Sequence, residues 1–355
     1  MTDGLPRRLW VIHSGPFWCL VLGYWVQSMS FLSRVFLPAA ALLAAPSLQA
    51  EPAKSMTYPE TRRGDVVDVQ FGEKIADPYR WLENDVRSDA QVADWVVRQN
   101  TATQAHLATL PARDWFAKRI KELVNYERFG VPKKAGHRYF YLRNSGLLNQ
   151  PQLFVRDGLN GAPQLLIDPN GWAKDGATAL DSALWEPSRD GKFLAYGVQD
   201  GGSDWRILRV MDVASGRVLD DELRWVNDSR IAWVGSKGFL YSRLPQPAEG
   251  QEFQAAMYNK VIAYHRIGTP QSADELVYAT PDYPDRSHKA RVTSDGRYAI
   301  ITSEIGTDAR YEVRVIDLAK RGAGRGAGWK ARALVTGFDH DWRLVDALGS
   351  QLWFV

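Results

Sequence analysis

The segment Gly191-Lys-Phe-Leu-Ala-Tyr196 is one of five similar segments spaced along the chain. Each begins with a glycine and continues with aromatic or aliphatic residues. The other four are Gly136-His-Arg-Tyr-Phe-Tyr141, Gly238-Phe-Leu-Tyr241, Gly296-Arg-Tyr-Ala-Ile-Ile301 and Gly349-Ser-Gln-Leu-Trp-Phe354. The intervals between the glycines are 55, 47, 58 and 53 residues. Short apolar runs after tight turns are typical of β-strands, so the chain from about residue 130 is predicted to be mostly β.

A second and a third apolar run follow most of these segments. The second runs are 153–157, 208–212 and 313–317, and the third runs are 165–168, 218–219, 276–278 and 334–335. The residues Asp212-Val-Ala-Ser-Gly216 supply the turn after one second run. A repeat of about 50 residues with several short strands is typical of a β-propeller blade. A β-sandwich would also give alternating strands, but with a less regular period.

The composition excludes several classes of protein. The chain has 355 residues, is 45% hydrophobic and 24% charged, and contains one cysteine. Ample apolar residues exclude a disordered chain, and a single cysteine excludes a disulfide scaffold or a cysteine-rich zinc protein. The formal net charge of +3 is too small to indicate binding of nucleic acid.

Residues 1–50 are expected to be an export signal. Arg34 precedes the apolar stretch 35–45, which is too short for the ~20 residues of a membrane-spanning helix. Small residues before Ala50 suit cleavage after that position. We therefore expect a periplasmic or secreted protein whose contact with a membrane is confined to this signal.

Two alternatives for the N-terminus stay open. Met29 could start a complete signal peptide, in which case residues 1–28 are an over-extended start. The rival interpretation is a membrane anchor at residues 9–27, although His13-Ser-Gly-Pro16 interrupts that run. The single cysteine, Cys19, lies in this region, so the mature chain would contain none.

Residues 51–127 are predicted to form a helical N-terminal arm, and residues 128–355 the propeller. Ser88-Asp-Ala-Gln91 fits a capping box, with Ser88 as N-cap and Gln91 bonding back to it. Pro111 separates this helix from the next. The second helix has an apolar face that includes Trp115 and Ile120. Because the pair has no obvious partner elsewhere in the chain, its apolar face must pack on something.

The residues alone indicate neither a catalytic set nor a metal site. The chain has no Gly-x-Ser-x-Gly elbow, and Gly201-Gly-Ser-Asp-Trp205 falls in a predicted hairpin turn, so Ser203 is interpreted as a turn residue. In Asp339-His-Asp341 neighbouring side chains point in opposite directions, which disfavours a shared ion. The run 322–328 matches no phosphate-binding motif and is predicted to be a flexible surface loop. No cofactor is expected.

Several segments together resemble the prolyl oligopeptidase family of serine peptidases. Asp77-Pro-Tyr-Arg-Trp-Leu-Glu83 resembles the N-terminal D-P-Y-x-W-L-E signature of the family, and Tyr139-Phe-Tyr-Leu-Arg-Asn-Ser-Gly-Leu-Leu-Asn-Gln150 is similar to its Y-F-Y-x-x-N-x-G-L-Q-N-Q strand and turn. Gly202-Ser-Asp-Trp205 and Lys260-Val-Ile-Ala-Tyr-His-Arg-Ile-Gly-Thr-Pro270 resemble later blades. The resemblance runs from about Tyr58 to the C-terminus and favours the prolyl branch over the oligopeptidase B branch.

The resemblance implies a seven-bladed propeller that caps an α/β-hydrolase domain. Members of the family cleave short peptides after proline, through a serine activated by histidine and aspartate. In the family the N-terminal helices pack on the hydrolase domain, and the propeller restricts substrates by size. The resemblance thus implies short proline-containing peptides as substrates and a hydrolase domain C-terminal to this chain.

The chain departs from the family pattern in two respects. It stops at Val355, within the fifth repeat, so about four and a half blades are expected and no hydrolase domain or catalytic residue is assigned. Asp228 stands where the family usually has an aromatic residue that faces the substrate. Asp204 resembles a family aspartate near the domain interface. Both aspartates are candidates for contact with substrate or with the hydrolase domain, and ordinary turn residues are the alternative.

Two functions are therefore carried forward from the sequence. The first is the propeller part of an exported prolyl oligopeptidase-like endopeptidase, inactive without its catalytic domain. The second is an exported β-propeller that serves as a binding module without enzymatic activity.

Overall fold

The structure is a computed structural model that describes residues 57–355, apart from Asp175, Gln254 and residues 321–327. The expected export signal, with Cys19, lies outside the described residues, as does most of the glycine-rich run 322–328. None of the helices in the described part is long and apolar enough to cross a membrane.

The N-terminal segment holds a hairpin and two helices. Its elements are β1 Val67–Gln70, β2 Glu73–Ala76, a 3-10 helix at Arg80–Glu83, α1 Ala90–Ala108 and α2 Arg113–Val124. The hairpin turns at Phe71 and Gly72, which both have positive φ, as the tight hairpin turn requires. The sequence pattern indicated the two helices but not this hairpin. Pro111 lies in the short turn between the helices, as predicted.

The N-cap of α1 is Asp89, so the prediction of Ser88 is wrong. Oδ1 of Asp89 accepts hydrogen bonds from the backbone N–H groups of Gln91 at 2.8 Å and Val92 at 3.2 Å. The hydroxyl of Ser88 instead donates to the carbonyl of Asp85. Serine and aspartate cap helices about equally well, but the carboxylate also interacts favourably with the positive end of the helix dipole.

From Arg128 the described chain forms four antiparallel sheets and a final hairpin, each built from consecutive strands. The first sheet contains β3 Arg128–Phe129, β4 Lys133–Ala135, β5 Arg138–Asn144, β6 Gln152–Asp157 and β7 Gln164–Ile167. The second contains β8 Thr178–Pro187, β9 Phe193–Asp200, β10 Arg206–Asp212 and β11 Arg217–Val226. The third contains β12 Ala232–Trp233, β13 Gly238–Arg243, β14 Val261–Arg266 and β15 Glu275–Tyr278. The fourth contains β16 Arg286–Val292, β17 Tyr298–Ile305, β18 Tyr311–Asp317 and β19 Arg332–Val335, and the hairpin is β20 Leu344–Leu348 with β21 Gln351–Phe354.

These sheets are the blades of a β-propeller, which confirms the fold predicted from the repeat. The four sheets and the final hairpin correspond to the four and a half blades that the sequence predicts. Each of the five glycine segments leads into, or lies in, a strand of its sheet: β5, β9, β13, β17 and β21. The second apolar runs are β6, β10 and β18. No pairing among the described strands is parallel, so an α/β-hydrolase sheet is absent from this part of the chain.

The core lies between blades rather than within them. On β13, Phe239 and Tyr241 belong to the cluster shared with the second blade, whereas Leu240 belongs to the cluster shared with the fourth. Likewise Ile300 on β17 points to the hairpin, and its neighbour Ile301 points to the third blade. Successive side chains of a strand face opposite sides, so a blade packed on both sides has continuous apolar runs.

Glycine turns bring neighbouring blades into close contact. The N–H of Gly136, between β4 and β5, donates to the carbonyl of Arg189 in the second blade at 2.9 Å. Gly136 and Gly191 have φ of 58° and 70°, in the left-handed region. A Cβ on Gly191 would lie 2.7 Å from the carbonyl oxygen of Ala135. Both conformational freedom and the lack of a side chain are therefore required here.

The residues from Thr57 to Val355 form one compact unit. The helices and the blades are thus not separated in the structure, and the division between 51–127 and 128–355 stays a prediction.

We predict that Gly191→Ala destabilises the protein more than Gly216→Ala. Gly216 has the same left-handed backbone, with φ of 68°, but a Cβ there meets no atom within 4 Å. Each substitution places alanine in the left-handed region at roughly 1–2 kcal/mol. Only Gly191→Ala adds a clash between blades, which should lower the free energy of unfolding by a further ~1–3 kcal/mol.

The measurement is urea unfolding followed by tryptophan fluorescence for both variants and the unchanged chain. Equal losses for the two variants would contradict the assigned contact between the first and second blades.

Candidate functional site

A cavity of about 390 Å³ contains both aspartates that the sequence singled out. Asp204 lies in the turn between β9 and β10, and Asp228 in the connection from β11 to β12. Because β9 and β11 run in the same direction, these two loops leave the second blade at the same end. We call this space the Asp204–Asp228 cavity; it is also lined by Asp181, Ala183, Leu184, Arg206, Asn227 and Ser229.

An ion pair between β8 and β10 forms one wall of the Asp204–Asp228 cavity. Nε of Arg206 lies 2.6 Å from Oδ2 of Asp181, and both side chains are 17% exposed. The other carboxylate oxygen of Asp181 accepts the N–H groups of Ala183 and Leu184. Arg206 also donates to the carbonyl of Ser203, at 2.7 Å. These bonds hold the turn that carries Asp204, whose own carboxylate has no partner among the described residues.

Asp228 is held by two lysines from the third and fourth blades. Its Oδ2 lies 2.8 Å from Nζ of Lys289 and 3.8 Å from Nζ of Lys260. Lys260 also donates to the carbonyl of Asp228 at 3.2 Å, and Lys289 pairs with Glu304 at 2.8 Å. Asp228 adopts φ of 42°, a conformation that aspartate tolerates better than most residues.

The lysines also determine the charge states in this cluster. Burial works to raise the pKa of Asp228, but the hydrogen bond from Lys289 and the charge of Lys260 outweigh it and leave the pKa below its usual value. Lys260 is 4% exposed, and burial lowers the pKa of its amine despite the opposing charge of Asp228. At neutral pH the Asp228 carboxylate is therefore ionised and paired with these lysines.

A larger cavity, of about 580 Å³, lies along the edge strands of four successive blades. Lys134, Arg189, Arg230 and Arg291 line it, and its one carboxylate is Glu186. Nζ of Lys133 holds Glu186 at 2.6 Å. We call this space the axial cavity. Its excess of cationic groups favours negatively charged parts of a ligand.

Arg189 fixes one end of the axial cavity. Its guanidinium donates to the carbonyl of Thr293 at 3.0 Å and to that of Ser294, so it joins the second blade to the fourth. The N–H of Ser294 in turn donates to Asp346 of the final hairpin at 3.0 Å. Turns from several blades are therefore tied together at this end.

Serine–histidine contacts in the described residues do not make an active site. Ser203 lies in the β9–β10 turn, as predicted, and its Oγ accepts the N–H of Trp205 at 3.1 Å. Ser303 lies 2.8 Å from Nδ1 of His288, but both residues are fully buried. Burial and the nearby charge of Lys260 lower the pKa of His288 to about 4. A peptide cannot reach this pair.

The part of the chain that the structure describes contains no cluster of metal-ligating side chains. No three His, Cys, Asp or Glu side chains are placed there to hold an ion. Asp341 pairs with Arg343 at 2.6 Å, and His340 packs edge-on against Trp342. Asp339-His-Asp341 therefore lies in a polar connection between β19 and β20.

The residues that surround Asp204 and Asp228 in this cavity were not predicted from the sequence. Asp181 lies where the β8–β9 register shifts between Leu180 and Trp185, and a polar residue that interrupts an alternating strand is a detectable indication of such a bulge. Lys260 directly precedes the apolar strand β14, which gives no indication that its own side chain is buried. Lys289 is an ordinary strand lysine in the sequence.

Comparison with known proteins identifies the family of the chain. Residues 58–355 match the family described as prolyl oligopeptidase, N-terminal beta-propeller domain. A prolyl endopeptidase of Elizabethkingia meningoseptica is 32% identical over 315 residues, which are 89% of this chain and 43% of that protein. The dual function macrocyclase-peptidase POPB of Galerina marginata is 30% identical over 325 residues, covering 83% of this chain and 43% of that protein.

Solved structures agree with this assignment. Prolyl oligopeptidase B from Galerina marginata, bound to a 35mer hydrolysis and macrocyclization substrate, superimposes with a TM-score of 0.68 at 28% identity, over 84% of this chain and 44% of that chain. A chain from a study of two prolyl endopeptidases and the role of their inter-domain dynamics gives a TM-score of 0.59 at 46% identity. The match covers 84% of this chain and 42% of that chain.

The chain spans less than half the length of the relatives that it matches. Its match to the propeller family extends through all four described blades and the final hairpin. The repeat, the antiparallel blades and these comparisons together show that the chain belongs to the prolyl oligopeptidase family, as its N-terminal β-propeller part.

Proposed function

We propose that this chain is the substrate-selecting part of a serine endopeptidase that cleaves short proline-containing peptides. The observation that carries the proposal is the match of residues 58–355 to the propeller of peptidases that are named for proline. In this proposal the chemistry belongs to an α/β-hydrolase domain, and the propeller restricts by size which peptides reach it. We also propose that residues 1–50 direct export to the periplasm or beyond.

The helical arm, residues 51–127 in the proposed division, supports a hydrolase domain as partner. Apolar side chains of α2 are half or more exposed: Trp115 63%, Phe116 55%, Ile120 57% and Leu123 56%. Contiguous exposed apolar groups of this size are typical of surfaces that pack on another protein. We call these four residues the α2 apolar surface, and we propose that the hydrolase domain covers it.

The Asp204–Asp228 cavity is the proposed contact with peptide or with the hydrolase domain. Asp204 presents a carboxylate with no partner among the described residues, and Asp228 presents one already neutralised by Lys289. A free carboxylate beside polar backbone can accept hydrogen bonds from the N–H groups of a bound chain. The cavity therefore suits orientation of a peptide and not its cleavage.

We predict that the 355-residue chain alone does not cleave a fluorogenic proline-containing reporter peptide. The described residues hold no accessible nucleophile with a base, so the rate should equal that of buffer. Cleavage that co-elutes with the chain and is blocked by a serine-peptidase inhibitor would contradict the proposal. Peptide binding without dependence on any second domain would instead favour the binding-module alternative.

We predict that Trp115→Ser with Ile120→Ser prevents capture of a separately produced prolyl endopeptidase hydrolase domain. The two side chains are exposed, so the urea midpoint of the propeller chain should change little, whereas a docking surface would lose its main apolar contacts. Lys118→Ser, an exposed change on the same helix, is the matched control. Unaltered capture by the double variant would remove the α2 apolar surface from the proposal.

We predict that Asp204→Asn in the assembled two-domain enzyme raises KM for a proline-containing peptide by about three- to tenfold and leaves kcat nearly unchanged. The reason is that the peptide would lose one charge-assisted hydrogen bond. Asp220→Asn, an exposed change on β11 away from the cavity, is the control. An equal effect of both variants, or a fall in kcat alone, would assign Asp204 no part in peptide binding.

A further inference from the structure

A buried histidine joins the second blade to the third between two carboxylates. Nε2 of His265, on β14, lies 2.8 Å from Oδ1 of Asp221 on β11. Nδ1 of the same ring lies 2.8 Å from Oδ1 of Asp274, just before β15. The exposed fractions of the three side chains are 0%, 1% and 0%. No step of the proposed function uses this cluster.

The hydrogen-bond geometry itself requires an extra proton. A neutral imidazole has one N–H donor and one acceptor nitrogen, whereas ionised carboxylates only accept. With a neutral ring, one nitrogen lone pair would face a carboxylate oxygen at 2.8 Å. An imidazolium satisfies both contacts, because both of its nitrogens donate.

The surroundings of the cluster favour placing that proton on the ring. Asp221 also accepts the N–H of Gly268 at 2.6 Å, and Asp274 accepts the hydroxyl of Tyr241 at 2.6 Å. Donated hydrogen bonds stabilise the ionised form of a carboxylate. Two other neighbours of the cluster bring no charge to it. Phe239 packs its uncharged ring against the imidazole of His265, and the amide of Gln271 donates to the hydroxyl of Tyr241.

We propose that His265 is an imidazolium at neutral pH and that the Asp221–His265–Asp274 clasp is a proton-dependent joint between the second and third blades. The clasp fastens one end of β14 to the second blade. At the other end, Lys260 contacts Asp228, so the same pair of blades carries the Asp204–Asp228 cavity. Release of the proton would leave one N–H donor on the ring and make the other of its two carboxylate contacts repulsive.

Hydrogen bonds satisfy the charges of the clasp only in part. Oδ2 of Asp221 is buried and has no hydrogen-bond partner among the described residues. Two carboxylates and one imidazolium also leave a net negative charge in a dry interface. Buried ionic groups that lose a partner are strongly unfavourable, so loss of the proton should be felt across the interface.

The direction of the pH dependence follows from the charges. Burial works to lower the pKa of His265, but its hydrogen bonds to Asp221 and Asp274 and their charges outweigh it and raise the pKa to about 9. The folded clasp thus binds a proton that an open or unfolded histidine, with a pKa of ~6.5, releases. Its contribution is complete below pH ~6.5 and is lost as the pH rises through about 9.

The first test is direct titration of the histidine rings by nitrogen NMR on the unchanged chain. The signal that disappears in His265→Gln should still belong to an imidazolium at pH 8. His288 is the internal contrast, since its pKa of about 4 keeps a buried histidine neutral from pH 5 upward. A neutral His265 ring at pH 7.5 would overturn the proposal.

The second test measures opening of the joint by hydrogen exchange at the amide of Gly268. After correction for the intrinsic pH dependence of exchange, opening should increase by up to about tenfold per pH unit between pH ~7 and ~9, because one proton is released. The amide of Gly136, between the first and second blades, is the reference and should show no such slope. Equal slopes at both amides, or none at Gly268, would overturn the proposal.

Variants separate the charge from the packing. Asp274→Asn should lower the pH at which Gly268 loses protection by a unit or more, and His265→Gln should abolish the slope. His137→Gln, an exposed histidine, should leave it unchanged. If His265→Gln does not fold, the ring titration and the Asp274→Asn shift still decide the matter, and an unshifted profile in Asp274→Asn would refute the clasp.

Discussion

Every inner blade of this propeller has to bury two apolar faces, and no single blade can bury either by itself. Strand β13 illustrates the constraint, because Phe239 and Leu240 are both fully buried but pack against different neighbours. Stability is therefore shared along the row of blades, as in other repeat architectures. The strand ends and their loops are consequently held at fixed positions. The Asp204–Asp228 cavity forms beside such loops, and the axial cavity forms along the edge strands of four blades.

Polar contacts between blades complement this apolar packing. Strand β14 is fastened to the second blade at both of its ends, by Lys260 to Asp228 and by His265 to Asp221. Arg189 ties the turns of the second and fourth blades together across the axial cavity. Hydrogen bonds and ion pairs depend on direction and on protonation, whereas apolar packing depends on neither. The polar contacts therefore fix how the blades are aligned, and one of them responds to pH.

The family assignment and the described residues are both consistent with a propeller that does not itself carry the catalytic residues. The buried pair His288 and Ser303 shows why a serine close to a histidine is not sufficient for catalysis, since neither side chain reaches solvent. What the propeller offers is space with charged walls: a cationic axial cavity and a smaller cavity with the carboxylates of Asp204 and Asp228. In the proposed function, these walls orient and select a peptide. The α2 apolar surface offers a place for the domain that would cut it.

The blades could be predicted from the sequence because glycine turns and alternating apolar residues are local properties of the chain, and the helices because their spacing is local too. The predicted N-cap of α1 was wrong by one residue, because Ser88 and Asp89 are both good caps and only the backbone conformation selects Asp89. Asp204 and Asp228 could be named from a family resemblance, but not the lysines that hold Asp228. Nor does any pattern reveal that His265 lies between Asp221 and Asp274. Which charged side chains are buried together depends on how distant segments pack, and that is settled only when the blades stack.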